Sequence, residues 1–425
     1  MHTQLPLLDT WTSLRSPKVR SGDREGVYGW SHLYSAFSEA FVLDALAAVR
    51  RSPREVVLDP FVGCGTATLA ASKMGHPAIG LDLDPYSCLL ARAGIAIKAD
   101  PVTVRKLLGR HDDGNEYAVS EGARGIFCES DIRYAAGVLQ QVVRRIDRGP
   151  AEAWQRILND PKGSYDSEAV SLAALSVGSV KAAKLVEGSN PVWARAALNG
   201  ERGARTKLET AARRSAEQML GDLRALQGSL QYRNVRIING DVRSWAPRAK
   251  SVDIVITSPP YLNRLDYVVH HLAPLTLYSA LMQINLDDMR KLMIGTTKIR
   301  GKEDESSEWG PLCRSTLRAI AAHPSKASAT YYYWTFHQYF SDMHVLFQKL
   351  SRICVAGARG VFVAQNSFYK ELEIEVPEIL IEIADEFNVA GRIVRREVVR
   401  SHMGTLSPRQ LAGKHLEEAV LVMEF

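Results

Sequence analysis

Short apolar runs alternate with longer stretches of helical periodicity along this chain, and that pattern predicts an α/β fold. Val56-Val57-Leu58 is a β-branched run of the kind that forms a buried parallel strand. It leads into Asp59-Pro60-Phe61-Val62-Gly63-Cys64-Gly65-Thr66, then a helix carrying Leu69, Ala70 and Met74 that stops near Gly75. Ala78-Ile79-Gly80-Leu81-Asp82 reads as the next strand. Such a strand–turn–helix–strand unit opens a doubly wound sheet.

The sheet pattern returns at Val235-Arg236-Ile237-Ile238, ending at Gly240-Asp241, and at Ile254-Val255-Ile256, ending at Thr257-Ser258. A helix with Phe336, Tyr339, Phe340, Met343, Leu346, Phe347 and Leu350 on one face leads to the strand Gly360-Val361-Phe362-Val363-Ala364. Two more strands are expected near 393–399 and 419–425. Between the halves of the sheet, residues 101–232 read as a mostly helical insert. Its clearest stretch puts Leu208, Ala212, Ala216, Met219, Leu223 and Leu226 on one face, with Arg213, Arg214 and Arg224 off that stripe. Thr206-Lys207-Leu208-Glu209 before it fits a capping box. The chain thus divides into a polar, basic arm (1–27, with Lys18, Arg20 and Arg24), a first sheet part (28–100), the insert (101–232) and a second sheet part (233–425).

Composition adds little to the fold but removes several functions. A 425-residue chain that is 46% hydrophobic and 24% charged is an ordinary soluble globular protein. It has no apolar run long enough to span a membrane and no apolar signal core at its start. The five cysteines (Cys64, Cys88, Cys128, Cys313 and Cys354) lack C-x-x-C spacing, which argues against a disulfide framework and a structural zinc. A reducing, cytoplasmic setting is the expectation. The net charge of +6 suits a phosphate-bearing partner without diagnosing one.

Two motifs carry chemistry. Gly63-Cys64-Gly65 lies between a strand and a helix, where a ligand can approach the backbone closely. Asp82, at the end of the next strand, is placed to accept ribose hydroxyls. Thr68 stands where a dinucleotide fingerprint has its third glycine, and Asp59 would repel a pyrophosphate but suit a cationic ligand. A purely structural tight turn is the alternative. The second motif, Thr257-Ser258-Pro259-Pro260-Tyr261, follows a strand. An exocyclic amine on a base is a poor nucleophile because its lone pair is delocalised into the ring. The Ser258 hydroxyl and the Pro259 carbonyl are acceptors that can localise that lone pair, Pro260 stiffens the turn, and Tyr261 offers a face for a flipped base. The rival is a rigid proline turn with a packed tyrosine.

Taken together, the two motifs resemble the S-adenosylmethionine-dependent DNA amino-methyltransferases, the N4-cytosine and N6-adenine class. The resemblance implies a seven-stranded, mostly parallel, Rossmann-like methyltransferase sheet, with S-adenosylmethionine held by the first motif and the target amine by the second. It implies a catalytic group of Ser258, Pro259, Pro260 and Tyr261, and a cofactor group of Tyr34, Phe37, Asp59, Phe61, Gly63, Gly65, Thr66, Asp82 and Asp241. No metal is called for. Serine at position 258 looks like the N4-cytosine branch; adenine enzymes usually carry Asp or Asn there. The likeness covers roughly 28–98 and 235–425, and the insert carries no motif of the family.

The expected partner is double-stranded DNA with the target base flipped out, in a restriction–modification setting with a cognate nuclease. The insert is one candidate for target recognition. Segment 285–330, with Lys291, Lys298, Arg300 and Lys302 after Asn263, Arg264 and Asp266, is another. Arg395, Arg396, Arg400, His402 and Arg409 flank a turn that the resemblance places beside the target base. Solvated surface is the alternative for all of these. With no Pro-Cys pair, ring-carbon methylation is disfavoured. N6-adenine methylation, an RNA amino-methyltransferase and a catalytically silent DNA-binding subunit remain the alternatives.

Overall fold

The computed structural model describes residues 11, 13–19, 22, 25–31, 37–109, 121–183, 207–230, 234–263, 265–279, 284–302, 309–399 and 415–425. Tyr34, Arg20, Arg24, Thr206, Arg264, Arg400, His402 and Arg409 lie outside them.

In chain order the elements are α1 (Glu39–Val49), β1 (Val57–Asp59), α2 (Thr66–Lys73), β2 (Ala78–Asp82), α3 (Pro85–Ala93), α4 (Pro101–Leu107), α5 (Glu129–Ile146), α6 (Pro150–Leu158), α7 (Asp166–Ala182), α8 (Leu208–Leu226), β3 (Val235–Asn239), β4 (Val252–Thr257), α9 (Leu272–Tyr278), α10 (Leu286–Leu292), α11 (Pro311–Ala322), α12 (Tyr333–Ile353), β5 (Cys354–Gln365), β6 (Ser367–Tyr369), β7 (Leu372–Ile374), α13 (Val376–Asp385), β8 (Ala390–Val398) and β9 (Glu417–Glu424). Seven strands form one sheet in the order β3-β2-β1-β4-β5-β9-β8. The first five are parallel, and β9 runs antiparallel between β5 and β8. The expected α/β, mostly parallel, seven-stranded architecture is what the chain adopts. The chain winds outward from β1 to β3 and returns to place β4 on the other side of β1. That reversal opens a crevice at the carboxyl ends of β1, β2 and β4.

Period-two burial explains why the strands stay in this sheet. Val57, Ile254, Ile256, Val361, Val363, Val420 and Val422 face one core with α1, α2, α3 and the insert. Leu58, Val255, Phe362, Leu421 and Met423 face the other, beneath α11, α12 and α13. A one-residue slip in any of these strands would exchange the two sets.

The insert is welded to the sheet layer. Helix α7 is buried along nearly its whole length. At Gly178 a Cβ would lie 2.6 Å from the Ala212 backbone nitrogen, so α7 and α8 meet backbone to backbone. From α3, the buried Arg92 donates through Nε to the Ile157 carbonyl (2.9 Å) and through Nη2 to Asp166 (2.6 Å) and Asp160 (3.4 Å). The capping box expected before α8 turns on Thr206, which lies outside the described residues. Lys207 occupies the N-cap without a side-chain bond. The Leu208 amide donates to Asp131 of α5 (3.0 Å), and Glu209 pairs with Arg213 one turn on. Among the described residues no helix is long and apolar enough to cross a membrane.

Candidate active site

Asp59 closes β1 and is buried; its Oδ1 accepts from the Phe61 amide (3.1 Å) and from Thr257 Oγ1 (2.7 Å). The carboxylate of the first motif therefore anchors the first residue of the second. Asp82 closes β2 in the same manner: Oδ2 accepts from the Gly63 amide (3.1 Å) and Oδ1 from the Asp84 amide (2.9 Å). Burial pushes both carboxyls up to about 7. It outweighs these hydrogen bonds, with repulsion from Asp82 adding at Asp59 and repulsion from Asp84 adding at Asp82.

The glycines of the turn have separate jobs. Both take left-handed backbone angles, φ 50° at Gly63 and 90° at Gly65. A Cβ at Gly65 would come within 2.9 Å of Ala91, so this glycine lets α2 seat against α3 rather than admitting a ligand. Gly63 faces a cleft that opens at the switch point.

Of the expected cofactor residues, Phe37, Asp59, Phe61, Gly63, Thr66, Asp82 and Asp241 line this cleft, and Gly65 does not. Ser258 and Pro260 also line it, whereas Pro259 and Tyr261 do not. Both motifs thus open on one space. Ser258 Oγ lies 3.1 Å from the Val363 carbonyl and 3.5 Å from the Tyr261 hydroxyl, and can donate its one proton to either. Tyr261 is buried, and its hydroxyl donates to Glu418 Oε1 on β9 (3.0 Å). Burial raises both ionisations, of the Tyr261 phenol and of the Glu418 carboxyl. Below the loop, Ser367 donates to the Leu262 carbonyl. Asn366 is buried outside the cleft, bonded to Glu373 and the Glu417 amide.

Sequence reading missed three groups in the cleft. His271 Nδ1 lies 2.5 Å from Asp84 Oδ2, and both side chains are buried. Asp84 followed by Pro85 is a recognisable helix start, since Asp84 caps α3 through the Tyr86 amide, but nothing local marks His271 as its partner. Tyr267 adds an aromatic wall. Arg243 grips Asp241 (2.5 Å) and also pairs with Asp342, which Arg300 pairs with in turn.

Several of the basic residues proposed for phosphate contact are engaged within the protein, whereas Lys302 is exposed. Lys291 pairs with Asp287 (3.2 Å) and Asp288 (2.8 Å), and Lys298 with Asp287 (3.2 Å). Arg395 pairs with Glu397 (2.5 Å), and Arg396 with Glu378. Asn263 and Asp266 serve the turn itself, accepting from the Leu265 and Val269 amides, and Asp266 also holds Arg290.

Comparison with known proteins gives short local matches. A stretch of 54 residues is 35% identical to the type II methyltransferase M.MjaII of Methanocaldococcus jannaschii, covering 13% of this chain and 10% of that protein. A stretch of 68 residues is 29% identical to the type II methyltransferase M.BsoBI of Geobacillus stearothermophilus, covering 16% and 13%. The chain thus matches only about a tenth of the length of each relative. No described protein family matches it. Among solved structures, the rRNA methyltransferase aviRa of Streptomyces viridochromogenes aligns over 96% of this chain and 93% of its own, at 12% identity and a TM-score of 0.30.

Proposed function

We propose that this protein is an S-adenosylmethionine-dependent methyltransferase that modifies the exocyclic N4 amine of cytosine in duplex DNA. The observation that carries the reading is the meeting of two chemistries in one cleft: the strand-end carboxylates Asp59 and Asp82, and the Ser258 hydroxyl of the proline motif. The local similarity to two type II methyltransferases supports it.

The cleft fits the proposed donor by its chemistry. Asp82, at the end of β2, is where a carboxylate accepts ribose hydroxyls. Acids on this wall disfavour a pyrophosphate and favour a ligand bearing positive charge. When bound, S-adenosylmethionine supplies an electrophilic methyl group on a sulfonium. The chain's part is to orient: Asp82 and Gly63 hold the nucleoside side, and Phe37 and Phe61 supply apolar wall. Ser258 accepts a hydrogen of the target amine. The surplus proton of the amine leaves to solvent once the new carbon–nitrogen bond has formed. Exposed Arg214 and Arg224 of the insert are assigned to the DNA side.

Nucleoside mass spectrometry of DNA from a host expressing the protein tests this directly. N4-methylcytosine is the expected product. N6-methyladenine alone would move the target to adenine, and methylation confined to RNA would replace DNA as substrate. Unmodified nucleic acid, together with a purified protein that ignores S-adenosylmethionine in calorimetry, would sink the reading.

A further inference from the structure

We infer that Glu418 is a positioning residue for the amine acceptor: it holds the Tyr261 proton, so that Ser258 keeps its lone pairs for the substrate. The inference rests on the reading of Ser258 as amine acceptor.

A hydroxyl has one proton to give and two lone pairs to accept with. The Tyr261 hydroxyl has two acceptors within reach, Glu418 Oε1 at 3.0 Å and Ser258 Oγ at 3.5 Å. The carboxyl oxygen is nearer and is the stronger acceptor, so the phenolic proton goes there. Ser258 then spends its own proton on the Val363 carbonyl or on the tyrosine oxygen, and neither choice consumes a serine lone pair. The sheet register supplies both proton sinks from one strand pair. On β5 and β9, Val363 lies opposite Val420, and Gln365 lies opposite Glu418. Strands β5 and β9 therefore set the hydrogen-bonding sense of a loop that follows β4.

Removing Glu418 predicts a specific fault. A buried phenol without its acceptor turns to the next one available, which is Ser258 Oγ. The tyrosine then occupies the lone pair that the amine needs. Deleting the phenolic oxygen as well abolishes that competition. A merely structural role for Glu418 has no such consequence, because a second deletion in the same cluster would only add damage.

The experiment measures transfer of tritiated methyl from S-adenosylmethionine to unmodified mixed-sequence duplex DNA, with S-adenosylhomocysteine calorimetry on each protein. Glu418→Met keeps the size and removes the acceptor; it should lower kcat roughly tenfold with KM for the donor unchanged. Glu418→Gln keeps an acceptor oxygen and should stay within about threefold of wild type. Adding Tyr261→Phe to Glu418→Met should restore kcat to the level of Tyr261→Phe alone. Wild-type kcat in Glu418→Met, a glutamine variant as slow as the methionine one, a double variant no faster than Glu418→Met, or loss of S-adenosylhomocysteine binding with the lost rate would each overturn the inference. If the wild-type protein itself transfers no methyl to DNA, the underlying reading fails instead, and the inference with it.

Discussion

Buried charge is handled in two ways in this molecule. At the junction of the insert and the sheet layer, Arg92 meets Asp166 and Asp160, and every charge faces an opposite one. At the cleft floor, Asp59 and Asp82 face each other and Asp84; their partners are backbone amides and a threonine hydroxyl, and both titrate near 7. The first arrangement closes on itself and can only hold the fold together. The second leaves negative charge under strain beside an open cleft, and a positively charged ligand would relieve it. Asp241 lies between these extremes: it lines the cleft, yet Arg243 already neutralises it.

The contrast can be broken by mutation, and the largest effect belongs to the junction. Arg92→Met should strand Asp166 in the core and lower unfolding free energy by about 3–5 kcal/mol, read by denaturant melts. Stability within 1 kcal/mol of wild type would show that the junction is not structural. Next comes Asp82→Ala, which should weaken S-adenosylmethionine binding about a hundredfold through lost charge-assisted bonds to ribose, with a much smaller loss of stability. Calorimetry and a thermal melt on one preparation would separate the two outcomes; equal affinities would remove Asp82 from the ligand.

A pH series sharpens the same point. The folded carboxyls at Asp59 and Asp82 hold protons up to about 7, whereas an unfolded chain releases them near 3.8. The native state thus binds more protons across that window, so the ligand-free protein should lose stability as pH rises through it. Affinity for the cationic donor should move the opposite way, rising as pH passes 7. Asp82→Asn should flatten both curves, and unchanged curves would contradict the assignment. The smallest effect is expected at Asp241→Asn, about tenfold or less in donor affinity, because Arg243 already offsets that charge. A loss as large as that of Asp82→Ala would place Asp241 among the ligand-facing acids.

Much of the fold was legible because its signals are local. The β-branched run at Val57, the alternation through Val361-Phe362-Val363 and the aromatic stripe of α12 each announce an element within a few residues. The candidate site was half legible for the same reason, since both motifs are contiguous. What escaped were pairings across sequence: Asp84 with His271, Arg92 with Asp166, Tyr261 with Glu418. Each partner is an ordinary residue in its own segment and acquires meaning only when the sheet closes. The acceptor of the Leu208 amide was unread for that reason too, Asp131 coming from another helix. The β6–β7 hairpin was unread because its three-residue strands are too short to show a period.

The position of β9 also has a consequence for how the protein is made. Within the sheet, β8 touches only β9, although it precedes β9 in the chain. During synthesis β8 therefore leaves the ribosome without a strand neighbour, with α13 but no sheet to lie against, and must wait for β9 to thread in beside β5. Glu418 rides on that strand. The nascent chain can assemble its glycine turn early, but the proline motif stays chemically unfinished until the final wedge of the sheet is driven home.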